Sequence, residues 1–271
     1  MEDKFVNIAG YRFTAIDDRD ELRQHFRRIC SDLELLGTIL LSPEGINFFL
    51  SGKQQSIDGF IDFLEQDERF IDIPLKVSYS KECAFRKMYV RLKKEIISMG
   101  VEDIKPAEAT GTYISPAEFK QWLDEERDIT VLDTRNDYEI RLGTFSNAEH
   151  FGLSTFRGIT QEIQHSKLDK EKPVVMFCTG GIRCEKASQL MINEGFADVR
   201  QLNGGILGYF DEVGADHWQG ECFVFDRRIA VNPRLEETAT VVCFACRSPL
   251  KPEEQQRNDY VIGKSCLYCI E

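Results

Sequence analysis

The 271-residue sequence lacks any apolar run long enough to cross a membrane; its longest hydrophobic stretches are strand-sized. It also lacks an N-terminal segment with a basic start and an apolar core, so no secretory signal is expected and the cytoplasm is the expected compartment. Positive charge is scarce as well. The 34 Lys and Arg residues stand against 46 Asp and Glu, a net charge of -12. That balance argues against a protein that coats nucleic acid non-specifically, but a local basic patch can sit on an acidic body. Neither a membrane nor DNA is expected as a partner. There is no internal repeat, no low-complexity tract, and no flavin, NAD or iron-oxygenase motif. What is present is 42% hydrophobic and 30% charged residues, the profile of a soluble globular protein. Nine cysteines in such a chain read as metal ligands, catalytic groups or buried thiols, not as a disulfide framework.

The hydrophobic pattern predicts an α/β protein of several domains. Residues 5 to 16 read as a strand. Leu22, Phe26, Ile29, Leu33 and Leu36 then fall in steps of four and three, the stripe of a helix, with Asp18 and Glu21 as a capping box at its start. Two short apolar runs flank the connector SPEGI, a helix fits 56 to 69, and LKVSYS at 75 to 80 closes the set. The order β-α-β-β-α-β predicts a ferredoxin-like domain over 1–98. Residues 99–112 have the Gly, Pro and Ala content of a linker. From 113 to 220, short buried strands alternate with helices, which predicts a parallel sheet covered on both faces. Its first helix is announced by Ser115, Pro116 and Glu118. A polar tail over 221–271 holds five of the nine cysteines.

The stretch CTGGIRCEKAS starts at the end of the buried run VVMF and opens a helix. Active residues of open parallel sheets gather at such strand ends. Gly180 and Gly181 let successive backbone N–H groups turn inward and form an anion nest at a helix start. A thiolate on Cys178 is favoured there, and Arg183 adds a fixed cation. A cysteine phosphatase loop needs its Arg one residue later, where Cys184 stands, so the tighter loop Cys178, Thr179, Gly180, Gly181, Ile182, Arg183 suits a terminal sulfur better than a phosphate. Cys184 reads either as a resolving thiol or, on the preferred reading, as a thiol packed beneath the helix.

CTGGIR after a buried strand, with LDTRNDYEIRLGTF upstream, resembles a rhodanese domain. The resemblance implies that Cys178 carries a persulfide and that Asp133 and Arg135 match the Asp-x-Arg of its structural signature. That signature usually ends in Gly-His, where this chain has Gly143 and Thr144. Over the whole chain, EGIN at 44–47, FRKMYVRLKKEII at 85–97, TRNDYE at 134–139, CTGGIRCEKAS and FVFDRR at 223–228 occur together and in order. The set resembles the bacterial tRNA uridine hydroxylases, rhodanese-domain proteins that make 5-hydroxyuridine at the wobble position. The resemblance implies an RNA-modifying oxidoreductase with Cys178 catalytic, molecular oxygen as co-substrate and the anticodon arm of tRNA as partner. It names no electron donor and no oligomeric state. Two rival readings remain at this point: a thiosulfate-type sulfurtransferase using a Cys178 persulfide, and a redox-sensitive tRNA-binding scaffold without catalysis.

In the tail, Cys243 and Cys246 form one CxxC and Cys266 and Cys269 another, nineteen residues apart. Two such knuckles close a tetrahedral site, so a structural zinc is expected, with an iron–sulfur cluster as the alternative on the same ligands. The tail is too small to hold a core of its own, and a metal would supply its folding energy. The basic segment Arg86, Lys87, Tyr89, Arg91, Lys93, Lys94 alternates with apolar residues. It reads as a strand with one basic face, suited to RNA phosphates and, through Tyr89, to an unpaired base.

Overall fold

The computed structural model describes residues 4–270, so the outermost ends of the expected ranges 1–98 and 221–271 lie outside the described residues. The first five strands are β1 (Phe5–Phe13), β2 (Leu36–Ser42), β3 (Gly45–Gly52), β4 (Lys76–Ser80) and β5 (Met88–Leu92). They form one sheet in the order β4-β1-β3-β2-β5. Two helices, α1 (Arg19–Asp32) and α2 (Gln54–Leu64), cover one face. Alternation along β1 explains the layering. Val6 and Ile8 enter the core with Phe26, Phe48 and Phe60, while Asn7, Ala9 and Tyr11 point to the opposite face. The first four strands are the predicted β-α-β-β-α-β set. The basic strand β5 is an addition, pairing parallel to β2 at the sheet edge.

Three local expectations change. The first helix stops at Asp32, Glu34 takes a left-handed φ of 53°, and Leu36 opens β2 instead of ending the helical stripe. Asp18 makes no capping hydrogen bond; its carboxylate is taken by Arg69 at 2.5 and 3.0 Å. The second helix ends at Leu64, five residues early.

The second layer set contains β6 (Thr112–Ile114), α3 (Pro116–Asp124), β7 (Thr130–Asp133), α4 (Asp137–Ile140), β8 (Gly143–Phe145), β9 (Glu149–His150), α5 (Ile159–Gln164), β10 (Val174–Phe177), α6 (Ile182–Asn193), β11 (Val199–Leu202), α7 (Gly205–Glu212) and β12 (Trp218–Gly220). Five strands run parallel in the order β6-β11-β10-β7-β9. β7 and β10 are buried at every position, as a strand covered on both faces must be. Ser115 caps α3 as predicted, accepting from the Glu118 backbone N–H at 3.1 Å. The segment read as a linker is not loose. Met99 and Ile104 are buried in the core beside Leu190 and Val199, Gly111 donates to Ser188 at 2.8 Å, and Thr112 already belongs to β6.

The tail adds two small hairpins, β13 (Cys222–Phe223) with β14 (Ala230–Val231) and β15 (Val241–Val242) with β16 (Pro249–Leu250), and a short helix α8 (Pro252–Gln255). No helix among the described residues is long and apolar enough to cross a membrane.

Candidate active site and metal centre

Cys178 sits where β10 ends, wholly buried, and the loop that follows curls over it. The Gly181 backbone N–H donates to its Sγ at 3.1 Å. Gly181 is needed twice over: its φ is 101°, and a Cβ there would stand 2.8 Å from the Tyr11 hydroxyl. Gly205 at the start of α7 is equally constrained, because a Cβ would meet the Cys178 carbonyl oxygen at 2.5 Å. The first N–H groups of α7 instead hold the loop from behind: Ile206 donates to the Cys178 carbonyl at 3.0 Å and Leu207 to the Thr179 carbonyl at 3.1 Å. Gly180 has open space where a side chain would be. Ile182, the last loop position before Arg183, is the first residue of α6.

Arg183 is fixed by a residue that lies on no part of the loop. Its guanidinium grips Glu139 of α4 at 2.6 and 2.7 Å, with Glu139 fully buried, and donates to the Thr179 hydroxyl at 3.3 Å. Burial alone would push the Cys178 thiol up. A hydrogen bond from Cys184, the Arg183 charge, and the Arg183 and Gly181 backbone N–H groups outweigh it and bring the thiol down to about 5. Cys184 moves the other way, held up by burial and by the neighbouring Cys178 charge. The opposite shifts favour the negative charge on Cys178 over Cys184. Cys184 is packed under the helix and turned towards Cys178, with Thr134 Oγ1 3.6 Å from its sulfur.

Asp133 and Arg135 lie behind this site. Arg135, with no exposure, binds both Asp133 oxygens at 2.9 and 2.6 Å and the Gly143 carbonyl at 2.7 Å. Thr144, standing where the rhodanese signature has His, donates to Asp133 at 2.8 Å. The pair pins β8 to the end of β7 and touches no part of the loop mouth.

The first domain closes over the loop. Tyr11 and Tyr113 both donate to Glu185 of α6, at 2.8 and 2.7 Å. Lys186, 1% exposed, reaches Glu44 and Glu95 at 2.8 Å each. Glu44 also accepts from the Ile96 N–H, and Asn47 donates to the Ile96 carbonyl. The EGIN motif is thus a clamp on the segment entering the second domain. FVFDRR is another: Arg228 pairs with Asp226 at 2.5 Å and donates to Ser78 of β4 at 2.8 Å, while Phe225 packs on Phe49. Spacing within the sequence could not single out Glu139 or Tyr11, because each reaches the loop or its helix only through the fold.

Tyr89 and the basic residues Arg86, Lys87, Arg91, Lys93 and Lys94 are all exposed, on or beside β5. Arg23 and Arg27 of α1 join Tyr89, Arg91 and Lys93 along a groove of about 450 Å³. These two arginines were missed because on the sequence they read only as the polar side of an amphipathic helix.

In the tail, the sulfurs of Cys243, Cys246, Cys266 and Cys269 lie within 4.8 Å of one another. Measured pairs are 3.6, 3.8 and 3.9 Å, far beyond a disulfide bond. Four sulfurs at about 2.3 Å from one zinc stand about 3.8 Å apart in a tetrahedron, so the set can hold a metal ion such as zinc. Among the described residues only Cys243, Leu250 and Cys266 form a buried cluster there, too little to stabilise the tail alone.

Comparison with known proteins agrees with this architecture. A family described as UPF0176 acylphosphatase like domain matches residues 5–96, and the rhodanese-like domain family matches residues 115–212. A rhodanese-like domain protein of known structure from Staphylococcus aureus aligns with 38% of this chain and 94% of its own, at 24% identity and a TM-score of 0.32. Curated relatives that bear the name tRNA uridine(34) hydroxylase include three from different genera. The one from Cupriavidus pinatubonensis is 50% identical over 98% of this chain and 97% of its own, the one from Ralstonia nicotianae 46% over 99% and 97%, and the one from Burkholderia orbicola 44% over 98% and 97%. The chain belongs to the tRNA uridine(34) hydroxylase family.

Proposed function

We propose that this protein hydroxylates the wobble uridine of tRNA to 5-hydroxyuridine in the cytoplasm, with Cys178 as the reacting atom. Full-length relatedness to proteins of that name supports the reaction class. The observation that carries the assignment of Cys178 is its low-lying thiol, held anionic by Arg183 and backbone N–H groups at a strand end. The uracil ring is electrophilic at C6, and a thiolate that adds there makes C5 electron-rich and ready for oxygen. Incorporating one atom of dioxygen and reducing the other to water consumes two electrons and two protons from a donor.

Arg183 and the loop N–H groups keep the sulfur ionised. Glu139 keeps Arg183 in place. Asp133 and Arg135 support the strand ends. The exposed cations from Arg86 to Lys94, with Arg23 and Arg27, would meet phosphates of the anticodon arm, and Tyr89 an unpaired base. Wobble bases lie in a loop, so little stacking is lost when one is presented to a cleft. The four tail thiolates would hold a structural zinc. An iron–sulfur cluster spreads its ligands around several atoms, which fits mutual distances under 4.8 Å less well.

The test is incubation of purified protein and tRNA under heavy-isotope dioxygen, read by nucleoside mass spectrometry. Labelled 5-hydroxyuridine is expected. Thiosulfate turnover with no tRNA product would favour the sulfurtransferase reading, and tRNA binding without either reaction the scaffold.

A further inference from the structure

The face of the first sheet that carries Asn7 and Ala9 does not lie flush against the second domain. Between them is a cleft of about 310 Å³, the lower end of the range for small-molecule sites. Thr179 of the catalytic loop forms part of its wall, together with Asn7, Phe49, Lys76, Phe225 and Asn203. Two polar groups of this wall have no polar partner among the described residues.

The first is Lys76. Its ammonium packs over the Tyr11 ring at 4.9 Å and makes no ion pair among the described residues. Burial lowers its affinity for a proton, while the Cys178 and Glu185 charges nearby favour it. The second is Asn7, 4% exposed, whose Oδ1 has no hydrogen-bond partner. The amide orientation follows from its neighbours. Ser80 spends its hydroxyl hydrogen on the Glu82 carbonyl at 2.6 Å, so towards Asn7 it can only accept, from Nδ2 at 3.0 Å. The atom left over is therefore an acceptor. Phe49, Phe85 and Phe225 in the wall offer apolar faces to a planar ring, and the rim carries Asp211 and Glu212, both exposed.

We propose that this cleft is the seat of the target base, and that the first domain reads it as uracil: Asn7 Oδ1 accepts from the ring N3–H, and Lys76 donates to a ring carbonyl. This rests on the uridine-hydroxylase reading and deepens it. Uracil presents acceptor, donor and acceptor along its pairing edge. Cytosine presents a lone pair at N3, which would face the Asn7 oxygen, so the cleft rejects it. When Cys178 adds to C6, a sulfur–carbon bond forms, the C5–C6 π pair shifts to C4–C5 and the carbonyl π pair moves onto the C4 oxygen, leaving an enolate. Lys76 is the cation placed to receive that charge. Cys178 is covered in this arrangement, with Tyr11 against Gly181, so the domains part locally for ring and sulfur to meet.

The experiment uses the full-length protein and a tRNA transcript carrying photoreactive 5-bromouridine at the wobble position. Irradiation should link it to a peptide holding Phe49, Lys76 or Phe225; linkage elsewhere, or none, overturns the proposal. In parallel, Lys76→Met should lower 5-hydroxyuridine formation about 100-fold, with tRNA affinity changed less than about threefold. Asn7→Ala should weaken discrimination between uridine and cytidine at that position. Unchanged turnover in Lys76→Met with unchanged discrimination in Asn7→Ala overturns it. Should the wild-type protein form no 5-hydroxyuridine, the function reading fails, while the cross-link still decides whether the cleft takes the base.

Discussion

Two sets of thiols in this chain are brought together by different means. At Cys178 the protein itself supplies the compensating charge: one sulfur meets backbone N–H groups and the fixed cation of Arg183, in a loop held by Glu139 and by the start of α7. In the tail, four sulfurs converge, and the described residues form a buried cluster of only Cys243, Leu250 and Cys266 around them. The first arrangement leaves the sulfur uncommitted to any ligand, beneath the Tyr11 contact that covers it. The second places all four sulfurs where they can hold one ion. Where the surrounding fold is deep, a thiolate can be stabilised and kept available; where it is thin, thiolates become the core.

The largest effect expected from breaking this contrast is in the tail. Metal removal by a strong chelator, or Cys243→Ser, should forfeit binding energy on the order of 10 kcal/mol. Limited proteolysis should then cut within 240–270, while the Cys178 thiolate is unaltered. Second, Arg183→Leu leaves Glu139 fully buried without its counter-charge. That should cost about 3–5 kcal/mol in denaturant unfolding.

Third comes the pH dependence of the Cys178 thiol. Its folded value of about 5 lies below the ordinary thiol value. The stabilisation from its ionisation is fully present above the unfolded pKa and is lost as pH falls through about 5. The difference in ultraviolet thiolate absorbance between wild type and Cys178→Ser should therefore disappear as pH falls through about 5, and in Arg183→Leu it should disappear at a higher pH. A wild-type midpoint near 8.5 would remove the claim. The smallest effect is at the basic strand. Lys93→Ala and Lys94→Ala should each weaken tRNA binding a fewfold and flatten the salt dependence by roughly one phosphate contact.

The two thiol sites were legible in the sequence to different depths for a physical reason. The CxxC pairs and the CTGGIR loop are local: their ligands or donors are neighbours along the chain, so spacing alone brings them together. The β-α-β-β-α-β order was readable because each element carries its own period. Glu139 was not, since its link to Arg183 spans 44 residues and depends on where α4 packs. Nor was Tyr11, which reaches the loop only because the second face of the first sheet turns towards it. Residues 99–112 read as a linker because Met99 and Ile104 are single apolar residues without a period, yet both are buried. The helix ends at Asp32 and Leu64 were misplaced because the apolar stripe runs on into the following segment, where the left-handed Glu34 and the turn after Leu64 interrupt it.

The central claim is that the anionic Cys178 modifies the wobble uridine. It is tested most directly by nucleoside mass spectrometry of tRNA from cells whose only copy of this protein carries Cys178→Ser. Loss of 5-hydroxyuridine and its derivatives, with the variant present at normal level, is the predicted result; unchanged 5-hydroxyuridine would contradict it.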